Sequence, residues 1–186
     1  MELMKVIDER LSIRSFVDTE VDDELVHKIL LCGHKAPTGG NIQPWEFIVV
    51  RSMDVKQDIV NTTFVGNQAD SEKTQEWMLK APVFIVICAD VERSKARYGK
   101  MAAESLIYLD CSACIENMLL AIVDLNIASC YVSGFREEEL KQTLHLPEGI
   151  KPIGILPIGY PDIIPARRQK RELQELVHYE CYGSKK

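Results

Sequence analysis

The sequence lacks the short motifs that identify several large enzyme classes. No G-x-G-x-x-G follows an apolar run, which argues against a Rossmann dinucleotide site, and there is no G-x-x-x-x-G-K-S/T phosphate loop or H-E-x-x-H zinc helix. A G-x-S-x-G elbow, typical of serine hydrolases, is also missing. These absences leave open an enzyme whose bound cofactor carries the reaction, because such a protein needs only to bind and orient its ligands.

Excess positive charge is a second absence. The 22 lysine and arginine residues are outnumbered by 28 aspartate and glutamate residues, so the formal net charge is 22 − 28 = −6. A net acidic chain is a poor candidate for binding nucleic acid unless its basic residues cluster on one face. We therefore expect no nucleic-acid partner.

Export and membrane signals are absent as well. The N-terminus has no basic stretch followed by an apolar run, which predicts that the chain carries no signal peptide. The most apolar region, residues 102–125, is interrupted by four acidic residues and therefore predicts a buried helix instead of a transmembrane span. We expect a cytoplasmic protein without a membrane partner.

Six cysteines are scattered through the chain, mostly inside apolar runs, which predicts reduced and buried thiols. Cys111 and Cys114 form a C-x-x-C, but no second pair accompanies them and they fall in the middle of a predicted helix. Packing therefore explains them better than metal binding, and a redox role stays open. The four histidines lie far apart in surface-like patterns, so we expect neither a metal site nor a catalytic acid or base.

The chain has the size and composition of one globular domain, which we place at residues 1–186; 46% of its residues are hydrophobic and 27% charged. Continuous apolar runs predict buried strands, and runs with helical spacing predict helices. Their alternation favours a mixed α/β sandwich with helices on both faces of a sheet. The predicted strands are 47–50, 83–88, 129–133 and 153–159, and the predicted helices are 1–10, a segment from Asp22 or Asp23 to Pro37, 54–65, 71–80, 102–125, 137–144 and 172–178.

The first stretch with chemical content is R-x-S-x-R near the N-terminus, formed by Arg10, Ser12 and Arg14. If the backbone is extended here, these three side chains point to one side while Leu11 and Ile13 face the core. Two guanidinium groups and a hydroxyl on one face can bind an anion, since arginine binds phosphate oxygens through paired hydrogen bonds. The alternative is an exposed edge with two solvated arginines.

A second stretch is the loop 36–45, A-P-T-G-G-N-I-Q-P-W. Its two glycines allow the backbone to approach a ligand closely, and its prolines stiffen the chain. The amides of Asn41 and Gln43 can pair with a ring that carries both donors and acceptors. A plain helix-to-strand connection is the alternative, but ten residues with a tryptophan and two amides are more than a connection needs.

Two further stretches lie in the second half of the chain. Segment 165–171 places four positive charges in its last five residues. A charge run of this kind is usually a solvated turn, and we favour a phosphate partner only if the segment meets Arg10 and Arg14 in space. Ser133 and Gly134 directly follow a predicted strand, where a glycine lets backbone N–H groups face a flat ligand.

Taken in this order, the stretches resemble the nitroreductase family of FMN-dependent oxidoreductases. The R-x-S-x-R, the A-P-S/T-x-x-N-x-Q-P-W loop, and the G-Y-P that precedes the basic segment and a final L-Q-E-L-V-H-Y-E all match, and they span the chain from end to end. The resemblance implies an α+β fold, a three-layer α/β/α sandwich with a mixed, mainly antiparallel sheet. It also implies a homodimer built around a long central helix, with FMN at the dimer interface.

The resemblance assigns the phosphate of FMN to residues from the two ends of the chain. Arg10 and Ser12 would hold the phosphate from the N-terminal side. Arg168 and Lys170 would join them from the basic segment. A shift in register would replace this second pair by the neighbouring arginines of segment 165–171.

The resemblance also assigns residues to the flavin ring. Arg14 would lie nearer the pyrimidine edge, where a positive charge stabilises the anionic reduced ring and raises its reduction potential. Ser133 and Gly134 would line the face of the ring. The other subunit would contribute loop residues, namely Pro37, Thr38, Gly39, Asn41 and Gln43.

The implied function is hydride transfer from NADH or NADPH to FMN, followed by reduction of a nitroaromatic, a quinone or a similar small molecule in a ping-pong mechanism. A flavin-dependent dehalogenase or dehydrogenase of the same family is one alternative, and a dimer that holds FMN without turnover is another. The sequence departs from the family pattern at two points: glycines occupy positions 39 and 40, where members often have serines, and no acidic residue lies beside Ser133 and Gly134.

Overall fold

The computed structural model describes residues 1–66 and 72–185. These residues form seven α-helices and four strands, and helices and strands alternate as the prediction of a mixed α/β sandwich requires. The helices are α1 (Leu3–Glu9), α2 (Asp23–His34), α3 (Met53–Asn61), α4 (Val91–Tyr98), α5 (Ile107–Asp124), α6 (Glu137–Thr143) and α7 (Leu173–Leu176), and the strands are β1 (Trp45–Val50), β2 (Val83–Asp90), β3 (Ala128–Ser129) and β4 (Ile150–Gly159).

The four strands form one sheet in the order β1-β2-β4-β3, and each of their pairings is antiparallel. Residues 83–89 of β2 are all fully buried, because helices cover both faces of this central strand. The prediction of a mainly antiparallel sheet is confirmed, and no parallel pair occurs among the strands of residues 1–66 and 72–185. The helical layers on both sides confirm the predicted α/β/α sandwich.

One face of the sheet is covered by α2 and α5. The strand β2 contributes Val83, Ile85 and Ile87 to this layer, and α5 contributes residues spaced by three or four along one helical face. Gly33 allows the two helices to approach closely, since a Cβ atom at this position would lie 2.6 Å from Cγ of Met118. Helix α5 is therefore the long central helix that the sequence predicts.

Helix α5 keeps one face uncovered in the single chain. Seven of its residues are buried against the sheet and α2, but Leu109 is 66% exposed and Tyr108 is 38% exposed. Within the described residues, Ala102–Asp124 is also the one helical stretch that is long and apolar enough to cross a membrane by length and composition. Its buried face packs in the manner of a core helix.

The opposite face of the sheet is covered by α3, α6 and the 3₁₀ helix Glu76–Lys80. The strand β2 contributes its alternate residues to this layer, among them Phe84 and Val86. Lys56 of α3 is 3% exposed, and its Nζ donates a 2.9 Å hydrogen bond to the carbonyl of Ala81, just after the 3₁₀ helix. Burial lowers the pKa of Lys56. This bond ties the end of the 3₁₀ helix to α3.

Three predicted elements differ most from the structure in extent. The helix predicted at 54–65 ends at Asn61, and the strand predicted at 129–133 is limited to β3 with one isolated bridge at Val132. The helix predicted at 71–80 is wrong over residues 72–75, which are irregular, and only Glu76–Lys80 forms a helical turn. Residue 71 itself lies outside the described residues.

Helix α4 is not predicted from the sequence. Its residues are mostly polar, so that no apolar period marks it. The carboxylate of Asp90 accepts a 2.9 Å hydrogen bond from the backbone N–H of Arg93 and so caps the helix N-terminus. A short polar helix of this kind cannot be detected from the spacing of apolar residues.

Three of the four buried cysteines are free thiols that pack in the two layers. Cys111 and Cys114 lie fully buried on the inner face of α5, and Cys88 lies fully buried on the other face of the sheet. Burial raises the pKa of each of these thiols to about 12. They are therefore protonated at neutral pH and are poor nucleophiles.

Candidate functional site

Segment 10–14 leaves α1 in an extended conformation and runs beside β3. Arg10 has φ −59° and ψ 119°, and the backbone N–H of Ile13 donates a 3.0 Å hydrogen bond to the carbonyl of Ser129. Ile13 is buried whereas Arg14 is exposed, which is the alternation that an extended chain imposes. The segment therefore has the geometry that the R-x-S-x-R spacing predicts.

The chain returns to this segment after β4. The N–H of Val17 donates to the carbonyl of Tyr160 at 3.0 Å, and the N–H of Asp162 donates to the carbonyl of Ser15 at 3.1 Å. The hydroxyl of Ser15 also donates to Oδ2 of Asp162 at 2.8 Å. These contacts hold residues 160–162 against the N-terminal segment, so that the basic segment 165–171 begins beside Arg10.

A groove of about 660 Å³ joins the two ends of the chain, and we call it the basic groove. Its polar lining consists of Asp8, Ser12, Arg10, Arg14, Arg167, Arg168 and Lys170. Five cations against one carboxylate give the groove a strongly positive potential. No ion pair within residues 1–66 and 72–185 involves Arg14, Arg168 or Lys170, so these charges are free to meet an anion.

A second groove, of about 690 Å³, shares Arg14 with the basic groove. We call it the aromatic groove because Phe64, Trp77 and Tyr131 line it. Ser133 and Gly134 belong to the same lining. The structure thus places Ser133 and Gly134 in the same groove as Arg14. The two grooves meet at this arginine.

The wall of the aromatic groove beside Gly134 is held by Gln75. Its Nε2 donates to the carbonyls of Phe64 at 3.1 Å and of Gly134 at 3.3 Å, while its backbone N–H donates to Oγ1 of Thr63 at 2.8 Å. The N–H of Phe64 donates in turn to the carbonyl of Gly134 at 3.1 Å. This network connects three separate segments, and it gives Ser133 and its neighbour a fixed place in the wall.

Few ionisable groups line the aromatic groove. They are Arg14, Cys130 and Tyr131, and no carboxylate or histidine belongs to the part of its lining that the structure describes. Burial raises the pKa of the Cys130 thiol and that of the Tyr131 phenol, so both are protonated at neutral pH. The groove is therefore equipped to bind and orient a ligand, and it offers no group poised for general acid–base catalysis.

The loop predicted at 36–45 ends at Pro44, because Trp45 begins β1, and we call it loop 36–44. It lines neither groove of its own chain. None of its predicted site residues lines the basic groove or the aromatic groove within the described residues, namely Pro37, Thr38, Gly39, Asn41 and Gln43. Gly40, Asn41 and Gln43 have positive φ values of 55°, 58° and 52°. Asparagine and glutamine are strained in this conformation, which persists only where surrounding contacts fix it.

Contacts inside the loop and from α4 fix its conformation. The N–H of Gln43 donates to Oγ1 of Thr38 at 3.2 Å, and its Nε2 donates to the carbonyl of Asn41 at 3.1 Å. From outside the loop, Nε of Arg93 donates a 2.6 Å hydrogen bond to the carbonyl of Ile42. The loop is thus a shaped element whose backbone is held by a neighbouring helix.

Sequence reasoning does not find four residues that shape the site. Gln75 and Trp77 lie where a regular helix was expected, and Arg93 lies in the unpredicted α4. The sequence predicts Arg167 only as an alternative in register, and the structure places it in the basic groove. Arg171, the other alternative, lies outside that groove and pairs with Glu175 at 3.4 Å. A signal for Trp77 exists in the sequence, because it is one of two tryptophans in the chain.

Fold and grooves together define a class of protein. A groove rich in unpaired cations suits a phosphate, and a groove lined by aromatic side chains and a glycine suits a flat ring. Their junction at Arg14 suits a ligand that carries both parts, and FMN is such a ligand. The residues present therefore fit a flavin-binding α/β/α protein.

Comparisons with known proteins specify this class further. A sequence model described as the nitroreductase family matches residues 7–160. A protein of Archaeoglobus fulgidus with the provisional name NADH dehydrogenase/NAD(P)H nitroreductase is 35% identical over 164 residues, which cover 86% of this chain and 86% of that protein. The chain belongs to the nitroreductase family.

A further relative and a solved structure agree with this assignment. The FMN reductase (NAD(P)H) of Bacillus subtilis is 27% identical over an alignment of 199 positions, which covers 97% of this chain and 74% of that protein. The crystal structure of a provisionally named NADH dehydrogenase/NAD(P)H nitroreductase from Bacteroides thetaiotaomicron is 27% identical, has a TM-score of 0.82, and covers 98% of this chain and 99% of that one. The predicted family, the predicted fold and the predicted class, an FMN-dependent NAD(P)H oxidoreductase, are confirmed.

Proposed function

We propose that this chain oxidises NADH or NADPH and passes the hydride, by way of bound FMN, to a nitroaromatic, a quinone or a similar small acceptor in a ping-pong mechanism. One observation carries the proposal. The three predicted site residues of segment 10–14 and the two of segment 165–171 all line one groove, which meets the aromatic groove at Arg14. Membership of the nitroreductase family and the FMN reductase relative support the same cofactor and electron donor.

The basic groove would hold the phosphate of FMN. Arg10, Arg168 and Lys170 would supply positive charge, and Ser12 would supply a hydroxyl donor. Hydrogen bonds between guanidinium groups and phosphate are strong because both partners are charged. Arg167 lines the same groove and would add to its potential.

The aromatic groove would hold the ring, and bound FMN would supply the hydride-accepting and hydride-donating chemistry. Ser133 and Gly134 would lie against the ring, since a glycine lets the backbone come close to a flat ligand. Arg14, at the junction of the grooves, would face the pyrimidine edge. Its charge would stabilise the reduced, anionic form of the ring and favour reduction.

Loop 36–44 would complete the site from a second copy of the chain. Because its residues line neither groove of their own chain, the assigned members can meet a flavin only across a subunit interface; these are Pro37, Thr38, Gly39, Asn41 and Gln43. Apolar surface is available for such an interface, since Leu109 of α5 is 66% exposed and Met4 of α1 is 71% exposed. We therefore propose a cytoplasmic homodimer with one domain, residues 1–186, in each subunit.

Visible absorption spectroscopy of the purified protein tests the proposal. The protein should show flavin bands, lose them when NADH or NADPH is added without oxygen, and regain them when a nitroaromatic or a quinone follows. Colourless protein that takes up no FMN when it is supplied, or a solution mass of one copy, would contradict the proposal. A yellow dimer that oxidises no NAD(P)H with any acceptor would indicate the alternative of FMN binding without turnover.

A further inference from the structure

Trp77 lies at the junction of the two grooves and contacts Arg14. Cζ of Arg14 is 5.7 Å from the centroid of the indole ring, within the range of a cation–π interaction. The same indole is stacked on Phe16, with ring centroids 6.4 Å apart and an angle of 26° between the planes. Phe16 is 4% exposed, so Trp77 connects the buried layer with an exposed guanidinium group.

The guanidinium group of Arg14 has little else to hold it. Within residues 1–66 and 72–185 it forms no ion pair, and its hydrogen bond from Nη1 to the carbonyl of Ser12 is long, at 3.5 Å. A long exposed side chain with such contacts retains much rotational freedom. The face of the indole is therefore the main feature that restricts where this positive charge lies.

Trp77 is itself held in place by the fold. It belongs to the 3₁₀ helix Glu76–Lys80, which is preceded by the hydrogen-bond network of Gln75 and followed by the bond between Lys56 and Ala81. Met78, the next residue, is fully buried. The position of the indole ring is thus set by contacts within the chain before any ligand binds.

We propose that Trp77 is a positioning residue that holds the guanidinium group of Arg14 at the junction of the grooves and thereby favours reduced over oxidised FMN. The inference rests on the proposed function, because it assumes that Arg14 faces the flavin. Trp77 acts through Arg14 and needs no contact of its own with the reacting atoms. Restricting Arg14 matters because the Coulomb interaction between its charge and the reduced ring falls with distance.

A double-mutant cycle on the FMN-loaded protein tests this role. Trp77→Leu should lower the preference for reduced over oxidised FMN about threefold, as expected for one exposed cation–π contact. For a two-electron couple this equals a midpoint potential about 14 mV more negative. Trp77→Phe keeps an aromatic face and should retain most of the preference. In an Arg14→Met background, Trp77→Leu should cause no further shift, because the charge that it positions is gone.

A second readout needs no flavin. In a Trp45→Phe protein, Trp77 is the sole tryptophan, and replacing Arg14 by methionine should change its fluorescence emission. For the midpoint potential of bound FMN, Trp45→Phe alone is the control that matches the tryptophan replacement at Trp77, since Trp45 is 6% exposed and packs in the layer of α2 and α5. This variant should leave the midpoint potential unchanged.

The outcomes separate this inference from the proposed function. The inference would be overturned, with FMN binding and turnover intact, by either of two results. One is an equal shift of the midpoint potential from Trp77→Leu with and without Arg14, and the other is a Trp77 emission spectrum that does not change when Arg14 is replaced. If Trp77→Leu does not fold, Trp77→Phe and the emission measurement still decide the question. A protein that binds no FMN would refute the proposed function and the inference together, and its lack of colour would identify that case.

Discussion

Segment 10–14 and loop 36–44 are both short connecting stretches outside the α-helices and the sheet, with only a 3₁₀ turn at Gly39–Asn41, yet they are held in opposite ways. Segment 10–14 has an ordinary extended backbone that is hydrogen-bonded to Ser129, and its charged side chains line the basic groove. Loop 36–44 has three positive φ values and is held by contacts from α4. The first region therefore contributes charged side chains to the site, and the second contributes a defined backbone conformation.

This difference has a consequence for substitutions in the two regions. Removing a charge from segment 10–14 should weaken ligand binding while the fold stays intact, because the backbone bonds do not involve those side chains. Changing the backbone preference in the loop should first reduce the stability of the protein, because strained conformations depend on their surroundings. Each of the following variants tests one side of this contrast.

Arg10→Glu should have the largest effect. It replaces a phosphate-binding cation by an anion, so that FMN should bind at least about 100-fold more weakly, since a hydrogen bond to a charged group contributes about 1.5–3 kcal/mol. Titration of the apoprotein with FMN, followed by flavin fluorescence, measures the change. The thermal unfolding midpoint of the apoprotein should fall little, because the pair of Arg10 with Glu116 is long, at 4.0 Å, and partly exposed.

Lys28→Glu is the matched control for this variant. It makes the same change in net charge as Arg10→Glu. Like Arg10→Glu, it replaces an ion pair by a pair of like charges, because Lys28 pairs with Glu24 at 2.7 Å. Lys28 lies outside both grooves. FMN affinity should stay at the wild-type value. A similar loss of affinity in both variants would show that overall charge, and not the basic groove, governs binding.

Gly40→Ala should destabilise the protein through the loop backbone. Gly40 has a φ of 55°, and a side chain in this left-handed region costs about 1–2 kcal/mol. The new Cβ would also lie 2.5 Å from the guanidinium end of Arg97, which would have to move. The unfolding midpoint should fall by about 3–6 °C in thermal denaturation, given the size of the chain.

Gly39→Ala is the control for the effect of backbone strain. Gly39 has no positive φ, and its added Cβ would meet the Tyr98 ring at 3.3 Å. This variant should be close to wild type in stability. If both alanine substitutions cost the same, then crowding by α4 and not left-handed strain would be the cause, and the contrast between the two regions would weaken.

Arg168→Ala should weaken FMN binding about tenfold without a change in stability, because one charge-assisted hydrogen bond to phosphate is lost. Arg171→Ala is the matched control, since Arg171 lies outside the basic groove and pairs with Glu175. Flavin titration of both variants settles the register of the basic segment. Equal effects, or a larger effect at Arg171, would contradict the assignment of Arg168.

Much of the fold could be predicted from local sequence patterns. The strands β2 and β4 and the helix α5 are long apolar runs whose burial follows from hydrophobicity alone. The 3₁₀ helix Glu76–Lys80 could not be predicted in this way, because a distant contact stabilises it: Lys56 of α3 donates a hydrogen bond to the carbonyl of Ala81. Helix α4 could not be predicted because its mostly polar residues show no apolar period, although Asp90 caps it locally.

The candidate site also has a part that local sequence patterns predict and a part that they do not. The alternation of Arg10, Ser12 and Arg14 could be read from spacing, since an extended backbone imposes it. The approach of segment 165–171 could not, because it depends on bonds such as that between Ser15 and Asp162, which are 147 positions apart in the sequence. For that part of the site, the family resemblance supplied what spacing could not.

Arg93→Ala tests the smallest expected effect, the contribution of α4 to the shape of the loop. It removes the 2.6 Å hydrogen bond to the carbonyl of Ile42, which should cost about 1 kcal/mol and lower the unfolding midpoint by about 2–4 °C. Lys95→Ala, on the same helix, removes an exposed ion pair with Glu92 and should cost almost nothing. If the two variants unfold at the same temperature, α4 does not hold the loop, and the strained backbone of residues 40–43 must be fixed by contacts within the loop and by the hydrogen bond from the N–H of Gly39 to Oδ1 of Asp110 in α5.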